Sequence, residues 1–277
     1  MPELPEVETV VRDLRPHLTG CRLSAVRAGR KALRRPWRAA WNDAVRGRRI
    51  RAVRRRGKWI VLDLDRDRHL VFHLGMSGQL TVANADAPRL RHTHLVFDLD
   101  RGRTQLRFRD PRRFGSAVFV DDDQLRTFFE RTALGPEPFD LDAAYWRRRL
   151  AMTERCLKAV LLDQRVVAGI GNIYADEALF EARLHPARFA CDLSAPQATR
   201  LRKAVVAVLA RAIAGRGSSV RNFVGGCGLA GEYQREHRVY GRTGEPCVRC
   251  GTPVERLRLA GRSTHFCPHC QRGPADR

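Results

Sequence analysis

Cys247-Val248-Arg249-Cys250, then sixteen residues, then Cys267-Pro268-His269-Cys270, is the stretch that organises the far end of this 277-residue sequence. Two Cys-x2-Cys pairs supply four thiolates at a spacing that closes a tetrahedron around one zinc ion. Four protein ligands leave no open coordination position, so the expected metal is structural and staples a small hairpin. His265 and His269 lie near enough to compete as ligands, although the cysteine pairs need neither. The arm between the pairs, Glu255 to His265, carries Arg256, Arg258 and Arg262 around a turn expected at Gly261. A zinc-stapled β-hairpin that presents arginine is a sound device for gripping a nucleic-acid backbone. Solvated charge accounts equally well for Arg256 and Arg258, and less well for Arg262 beside the turn.

Upstream of this module, Gly215 to Gly231 is rich in Gly and Ser with little periodicity, and reads as a mobile loop. Before it the apolar period is helical, in segments near 140–150, 154–162, 173–183 and 195–214. Gly135-Pro136-Glu137-Pro138 punctuates the chain, and ahead of it the pattern changes. Between Ile50 and Val120 the short runs Trp59–Asp65, Leu70–Leu74, His94–Leu99, Gln105–Arg109 and Ser116–Val120 alternate or are continuously apolar, which predicts a β-sandwich or barrel. Val7, Val10, Val11, Leu14 and Leu18 keep helical spacing, so a first helix is expected directly after Pro5. The fold class expected is therefore α+β, with modules at 1–135, 136–237 and 238–277.

Composition narrows the partners. Lys+Arg number 52 against 30 Asp+Glu, a formal charge of +22 that points to a polyanion. Only Lys31, Lys58, Lys158 and Lys203 are lysines, so arginine-rich codon usage shapes the residue type but not the excess charge. The N-terminus has Glu3, Glu6 and Glu8 where a signal peptide would be basic, and no apolar run is long enough to span a membrane. Cys21, Cys156, Cys191 and Cys227 are scattered, as in a reducing compartment with a single metal site. These features predict a cytoplasmic, nucleoid-associated protein.

Three further stretches carry possible chemistry. Gly169-Ile170-Gly171-Asn172-Ile173-Tyr174 lacks the third glycine of a dinucleotide fingerprint and follows a helix, not a strand, so that reading is rejected. A Gly-rich turn between helices, with Asn172 expected at the N-cap of the second, offers backbone N–H groups to a phosphate. Taken alone, it reads first as an ordinary helical corner. Met1-Pro2-Glu3-Leu4-Pro5-Glu6 is, on physical grounds, an acidic helix start. Its chemical interest is that Met1 is readily removed before proline, leaving a secondary amine beside the Glu3 carboxylate. An α-amine has a pKa of about 7.7–8.0 against about 10.4 for lysine, so more of it is neutral and nucleophilic. Met76 in a Gly-Met-Ser-Gly turn and Phe114 between Arg112-Arg113 and Gly115 are oddly placed for core residues, and exposure is expected for both.

Pro2-Glu3-Leu4-Pro5-Glu6, His73-Leu74-Gly75-Met76-Ser77-Gly78, Asp110-Pro111-Arg112-Arg113-Phe114-Gly115, Gly169 to Tyr174 and the cysteine module stand in the order seen in the formamidopyrimidine-DNA glycosylase and endonuclease VIII family. The sequence resembles that family from Pro2 to Gln271. Leu4 and the string Val239 to Cys247 resemble its purine-directed branch. The resemblance implies an N-terminal helix on a β-sandwich, then a helix-two-turn-helix domain ending in a zinc-finger β-hairpin, with DNA in a basic cleft.

By the same resemblance Pro2 is the Schiff-base nucleophile, Glu3 the acid/base that assists sugar opening, and Glu6 its support. Lys58 grips phosphate beside the lesion and Arg262 does so from the hairpin, both counted with the catalytic set. Lys158 is a supporting residue near the damaged base. His73 and Asn172 bind DNA, while Met76, Arg112 and Phe114 fill the gap left by a flipped nucleotide. The resemblance also implies a base-sensing role for the loop at 217–231, where Gly225-Gly226-Cys227-Gly228 departs from the family pattern. The implied activity is excision of oxidised purines with β,δ-elimination. The partner is damaged double-stranded DNA, bound by a monomer without membrane attachment. One structural zinc is the only cofactor expected. Two alternatives are an endonuclease VIII-like enzyme for oxidised pyrimidines and a non-catalytic zinc-containing DNA-binding protein.

Overall fold

Pro5 occupies a first-turn position whose backbone donor would have had no intrahelical partner, so it starts a helix instead of breaking one. In the computed structural model, which describes residues 1–100, 102–219 and 223–273, helix α1 runs Leu4–Leu18 with Glu3 at its N-cap. Val7, Val10, Val11, Leu14 and Leu18 are all fully buried along one stripe.

The strands that follow are β1 (Leu23–Ala28), β2 (Ile50–Arg56), β3 (Trp59–Leu64), β4 (Arg68–His73), β5 (Gln79–Asn84), β6 (Thr93–Leu99), β7 (Thr104–Arg109) and β8 (Ser116–Asp121). A short helix α2 (Trp41–Val45) precedes β2, and α3 (Asp122–Thr132) follows β8. Two antiparallel four-stranded sheets result, ordered β1-β6-β7-β5 and β2-β3-β4-β8. They face each other through aromatic rings: Phe72 on β4 meets Phe97 on β6 and Phe108 on β7 edge-on, each at 5.9 Å. The α1 stripe joins the same core, so the chain terminus is packed beside the sandwich. One compact unit comprises Met1–Thr132 and Gly215–Glu232.

The second unit comprises Ala133–Ala214 and the chain from Tyr233 onward. Its helices are α4 (Ala143–Ala151), α5 (Leu157–Leu162), α6 (Asn172–Glu181) and α7 (Ala195–Ala214). Asp142 caps α4 by accepting the Tyr145 N–H at 2.7 Å, and Trp146 Nε1 donates to the Ala198 carbonyl at 3.0 Å, tying α4 to α7. Strands β9 (Glu255–Leu259) and β10 (Arg262–Phe266) form an antiparallel hairpin. Its two turn residues, Ala260 and Gly261, both have positive φ, 48° and 71°, as a two-residue turn of matching twist requires. The α+β architecture is the one the resemblance implies.

Two details differ from the sequence reading. Gly171, not Asn172, is the N-cap of α6: its backbone is extended and its carbonyl accepts the Ala175 N–H, making Asn172 the first helical residue. The Gly/Ser-rich stretch is also tied down where it is described. Arg216 pairs with Asp13, Gly231 N–H donates to Ser219 Oγ at 2.8 Å, and Val82 N–H donates to Gly226 O at 3.0 Å. Residues 220–222 of that stretch lie outside the described residues. Among the described residues no helix is long and apolar enough to cross a membrane.

Candidate active site and nucleic-acid interface

The start of α1 is a reciprocal capping box. The Glu3 carboxylate accepts the Glu6 N–H, while Glu6 Oε2 accepts the Glu3 N–H at 2.8 Å. Pro2 is buried, and Glu3 and Glu6 are 3% and 2% exposed. The second Glu6 oxygen accepts the Ser218 N–H at 2.7 Å, so one carboxylate holds both the chain start and the glycine-rich stretch. Gly217 has φ +75, and a Cβ there would come within 2.8 Å of Glu6 Oε1, which explains glycine at that position. Glu6 is legible in the sequence and Ser218 is not, because a backbone donor carries no residue signature.

Lys58, 6% exposed, stands in the turn between β2 and β3, and His73 ends β4 opposite Trp59 in the register. Burial, with Lys58, Arg34 and Arg35 adding positive charge, pushes the His73 pKa down to about 4. The ring is therefore neutral at neutral pH. Its Nδ1 accepts the Gly75 N–H at 3.0 Å, which places the ring proton on Nε2. Met76 and Phe114 are 40% and 44% exposed, and the Arg112 guanidinium lies 4.6 Å from the Phe114 ring centroid. Arg34 and Arg35 are cations the sequence reading did not single out, since charge runs are usually solvated.

In the second unit Lys158 is fully buried. Its Nζ donates to the Asn172 carbonyl at 2.9 Å and pairs with Asp176, which is 1% exposed. Asp176 also accepts the His265 N–H at 3.0 Å and lies 3.1 Å from His265 Nδ1. Asn172 Nδ2 donates to the Ser263 carbonyl at 2.9 Å. Helix α6 and strand β10 are thereby joined beside Arg262, which is exposed. Glu177, next to Asp176, accepts the backbone N–H groups of Arg238, Val239 and Tyr240 at 2.9–3.1 Å. Asp176 and Glu177 were missed in the sequence. Two adjacent acids inside an apolar helix were the available signal, because such groups persist when buried only if fully paired.

The four cysteine sulfurs lie within 4.8 Å of one another, with Cys250–Cys267 and Cys250–Cys270 at 3.5 Å and Cys247–Cys270 at 3.9 Å. Ligands about 2.3 Å from zinc sit roughly 3.8 Å apart in a tetrahedron, so the set fits that ion. The N–H groups of Arg249 and Cys270 point at Cys247 and Cys267 sulfur, each at 3.4 Å, as suits thiolates. His265 is turned to Asp176, and the cluster contains cysteines alone.

Family models match along the chain: the formamidopyrimidine-DNA glycosylase N-terminal domain at residues 1–117, the H2TH domain of the same enzymes at 134–224, and a zinc finger found in FPG and IleRS at 244–273. The chain is 45% identical to a formamidopyrimidine-DNA glycosylase of Herpetosiphon aurantiacus and 42% identical to one of Desulforamulus reducens. The alignments cover 98% of this chain in both cases, and 100% and 99% of those proteins. A Lactococcus lactis FPG solved with Fapy-dG-containing DNA superposes with TM-score 0.90 at 35% identity, and MutM solved with carbocyclic 8-oxo-G-containing DNA with TM-score 0.90 at 37%. Both comparisons span 98% of this chain and 100% of the solved one.

Proposed function

Since the chain belongs to the formamidopyrimidine-DNA glycosylase family, we propose that it excises oxidised purines, 8-oxoguanine and formamidopyrimidines, from duplex DNA and then cuts the strand at the resulting abasic site. The observation that carries this reading is similarity along 98% of the chain to enzymes of that one activity. The buried Pro2-Glu3-Glu6 box supplies the chemistry expected of them.

In this reading Met1 is removed and the Pro2 amine attacks the sugar C1′. The N–C1′ bond forms as the glycosidic bond breaks, and the damaged base leaves with a proton. Glu3 delivers a proton to the sugar ring oxygen as the ring opens. The resulting iminium draws electrons from the sugar, so C2′ loses a proton and the 3′-phosphate leaves. A second elimination releases the 5′-phosphate. Glu6 holds Glu3 and the Gly217–Ser218 backbone in place. Lys58, His73, Asn172 and Arg262 grip phosphates, and Lys158 supports them by holding the Asn172 turn. Met76, Arg112 and Phe114 enter the stack where the nucleotide has left, offsetting the few kcal/mol that extrusion costs.

Cys247, Cys250, Cys267 and Cys270 would hold one zinc ion, which would shape the hairpin, since four protein ligands leave no position for a substrate. The protein works as a monomer on nucleoid DNA in the cytoplasm without a membrane partner, through modules at 1–135, 136–237 and 238–277. An incision assay with duplexes carrying single lesions tests the reading. Cutting at 8-oxoguanine and formamidopyrimidine sites well above cutting at thymine glycol is expected. Selective cutting at thymine glycol would point to the pyrimidine-directed activity instead, and binding without cutting to a non-catalytic protein.

A further inference from the structure

Asp110, directly after β7, is fully buried, and its carboxylate bridges two turns. Oδ1 accepts from Ser77 Oγ at 2.5 Å and from the Arg112 N–H at 3.2 Å, while Oδ2 accepts the Gly115 N–H at 2.7 Å. The backbone of Asp110 is fixed as well. Its N–H donates to His92 O at 2.9 Å, and its carbonyl accepts from His94 Nε2 at 2.9 Å and from the Arg113 N–H at 3.2 Å.

The two turns so joined are the ones that carry Met76 and, on the other side, Arg112 and Phe114. They interlock closely. Gly75 has φ +61, and a Cβ there would lie 2.5 Å from the Phe114 carbonyl carbon. Arg113 sits at φ +58, a left-handed conformation that non-glycine residues hold only when their surroundings over-determine it. The Asp110 carboxylate, bonded on both sides of Arg113, supplies that constraint.

We propose that Asp110 is a positioning residue for base extrusion: it locks the Met76 turn to the Arg112–Phe114 turn so that three side chains reach the duplex as one rigid wedge. The inference rests on the reading above that this trio enters the stack. A carboxylate suits the task because three donors converge on it and it offers acceptors alone. An amide would turn an NH2 group toward one of them.

The test uses the full-length zinc-loaded protein with Asp110→Asn, Ser77→Ala, Phe114→Ala and the double variant Asp110→Asn/Phe114→Ala. The readout is the rate of 8-oxoguanine excision divided by the rate of cleavage at a pre-formed abasic site, in the same preparation. A smaller folded fraction lowers both rates and cancels in this ratio, whereas a misplaced wedge lowers it. Asp110→Asn should reduce the ratio by about ten- to hundredfold. Ser77→Ala, which removes one bond and little volume, should move it the same way by about threefold, and decides the matter if Asp110→Asn does not fold. The double variant should lose less than the product of the two single-variant losses, as for groups acting through one device. If Phe114→Ala leaves the ratio unchanged, the wedge reading fails and takes this inference with it. If Phe114→Ala lowers the ratio but the Asp110 and Ser77 variants do not, or if their effects add to it, the positioning role alone is overturned.

Discussion

Lys158→Met removes an ammonium group that is fully buried, pairs with Asp176 and holds the Asn172 carbonyl at 2.9 Å. Removing one partner of a buried ion pair costs about 3–5 kcal/mol, because the other charge is left without compensation. Asp176 keeps the His265 N–H at 3.0 Å, which partly stabilises the remaining carboxylate, so the lower end, about 3 kcal/mol, is expected. With a urea m-value of about 2 kcal/mol/M, the midpoint should fall by about 1.5 M. Far-UV ellipticity is the suitable probe, because α4, α5, α6 and α7 all lie in the affected unit. The same variant should leave the salt dependence of DNA binding unchanged, since a lysine enclosed in an ion pair releases no counterion from DNA. A midpoint shift below about 0.5 M, or a salt slope shallower by about one unit, would show that Lys158 spends its charge on phosphate and that the buried-pair argument is wrong.

Other expectations are separable from this one. Cys250→Ser should lower the zinc content and loosen the β9–β10 hairpin with a loss of DNA affinity, and stoichiometric zinc with unchanged affinity would refute the four-cysteine site. Arg262→Ala and Asn172→Ala should weaken binding to damaged and undamaged duplex alike. The arginine variant should also make the log K against log salt slope shallower by about 0.9, or roughly 3.5-fold less sensitivity between 50 and 200 mM. An unaltered slope would mark Arg262 as merely solvated. His73 titrates near 4 in the folded protein and about 6.5 unfolded, so between these values the unfolded state binds more protons and stability rises with pH. His73→Gln should remove that dependence, up to about 3 kcal/mol over the window, as measured by urea unfolding without DNA at pH 4.5 and 7.

A structural feature is legible in the sequence where it leaves a periodic or paired signal. The Cys-x2-Cys pairs and the α1 stripe are periodic or paired, and both were readable. Strands β1, β2 and β5 were not singled out, because Arg, Ser, Gln and Thr fill their outward positions and dilute the alternation. The turn residues Met76 and Phe114 stood out by being apolar where a chain should be polar. The networks around Asp110, Asp176 and Glu6 were hidden, since each joins residues distant in sequence and relies in part on backbone donors common to all residue types. The Gly/Ser composition of 215–231 suggested mobility, whereas its described parts are held by Asp13, Glu6 and Val82. Small residues there permit close approach to α1, as at Gly225 and Gly226, instead of freedom.

Whether the N-terminal proline performs the chemistry is answered by borohydride trapping on duplex DNA with one 8-oxoguanine, followed by mass spectrometry of the cross-linked peptide. An iminium between Pro2 and C1′ would be reduced by borohydride to a stable amine, so a stoichiometric cross-link on Pro2 of a chain lacking Met1 is expected. Retention of Met1 or an added N-terminal tag should abolish it. Glu3→Gln should bind DNA yet lose base excision by about 10²–10⁴-fold. A cross-link mapped to Lys58 or Lys158, or normal excision by N-terminally blocked protein, would contradict the account.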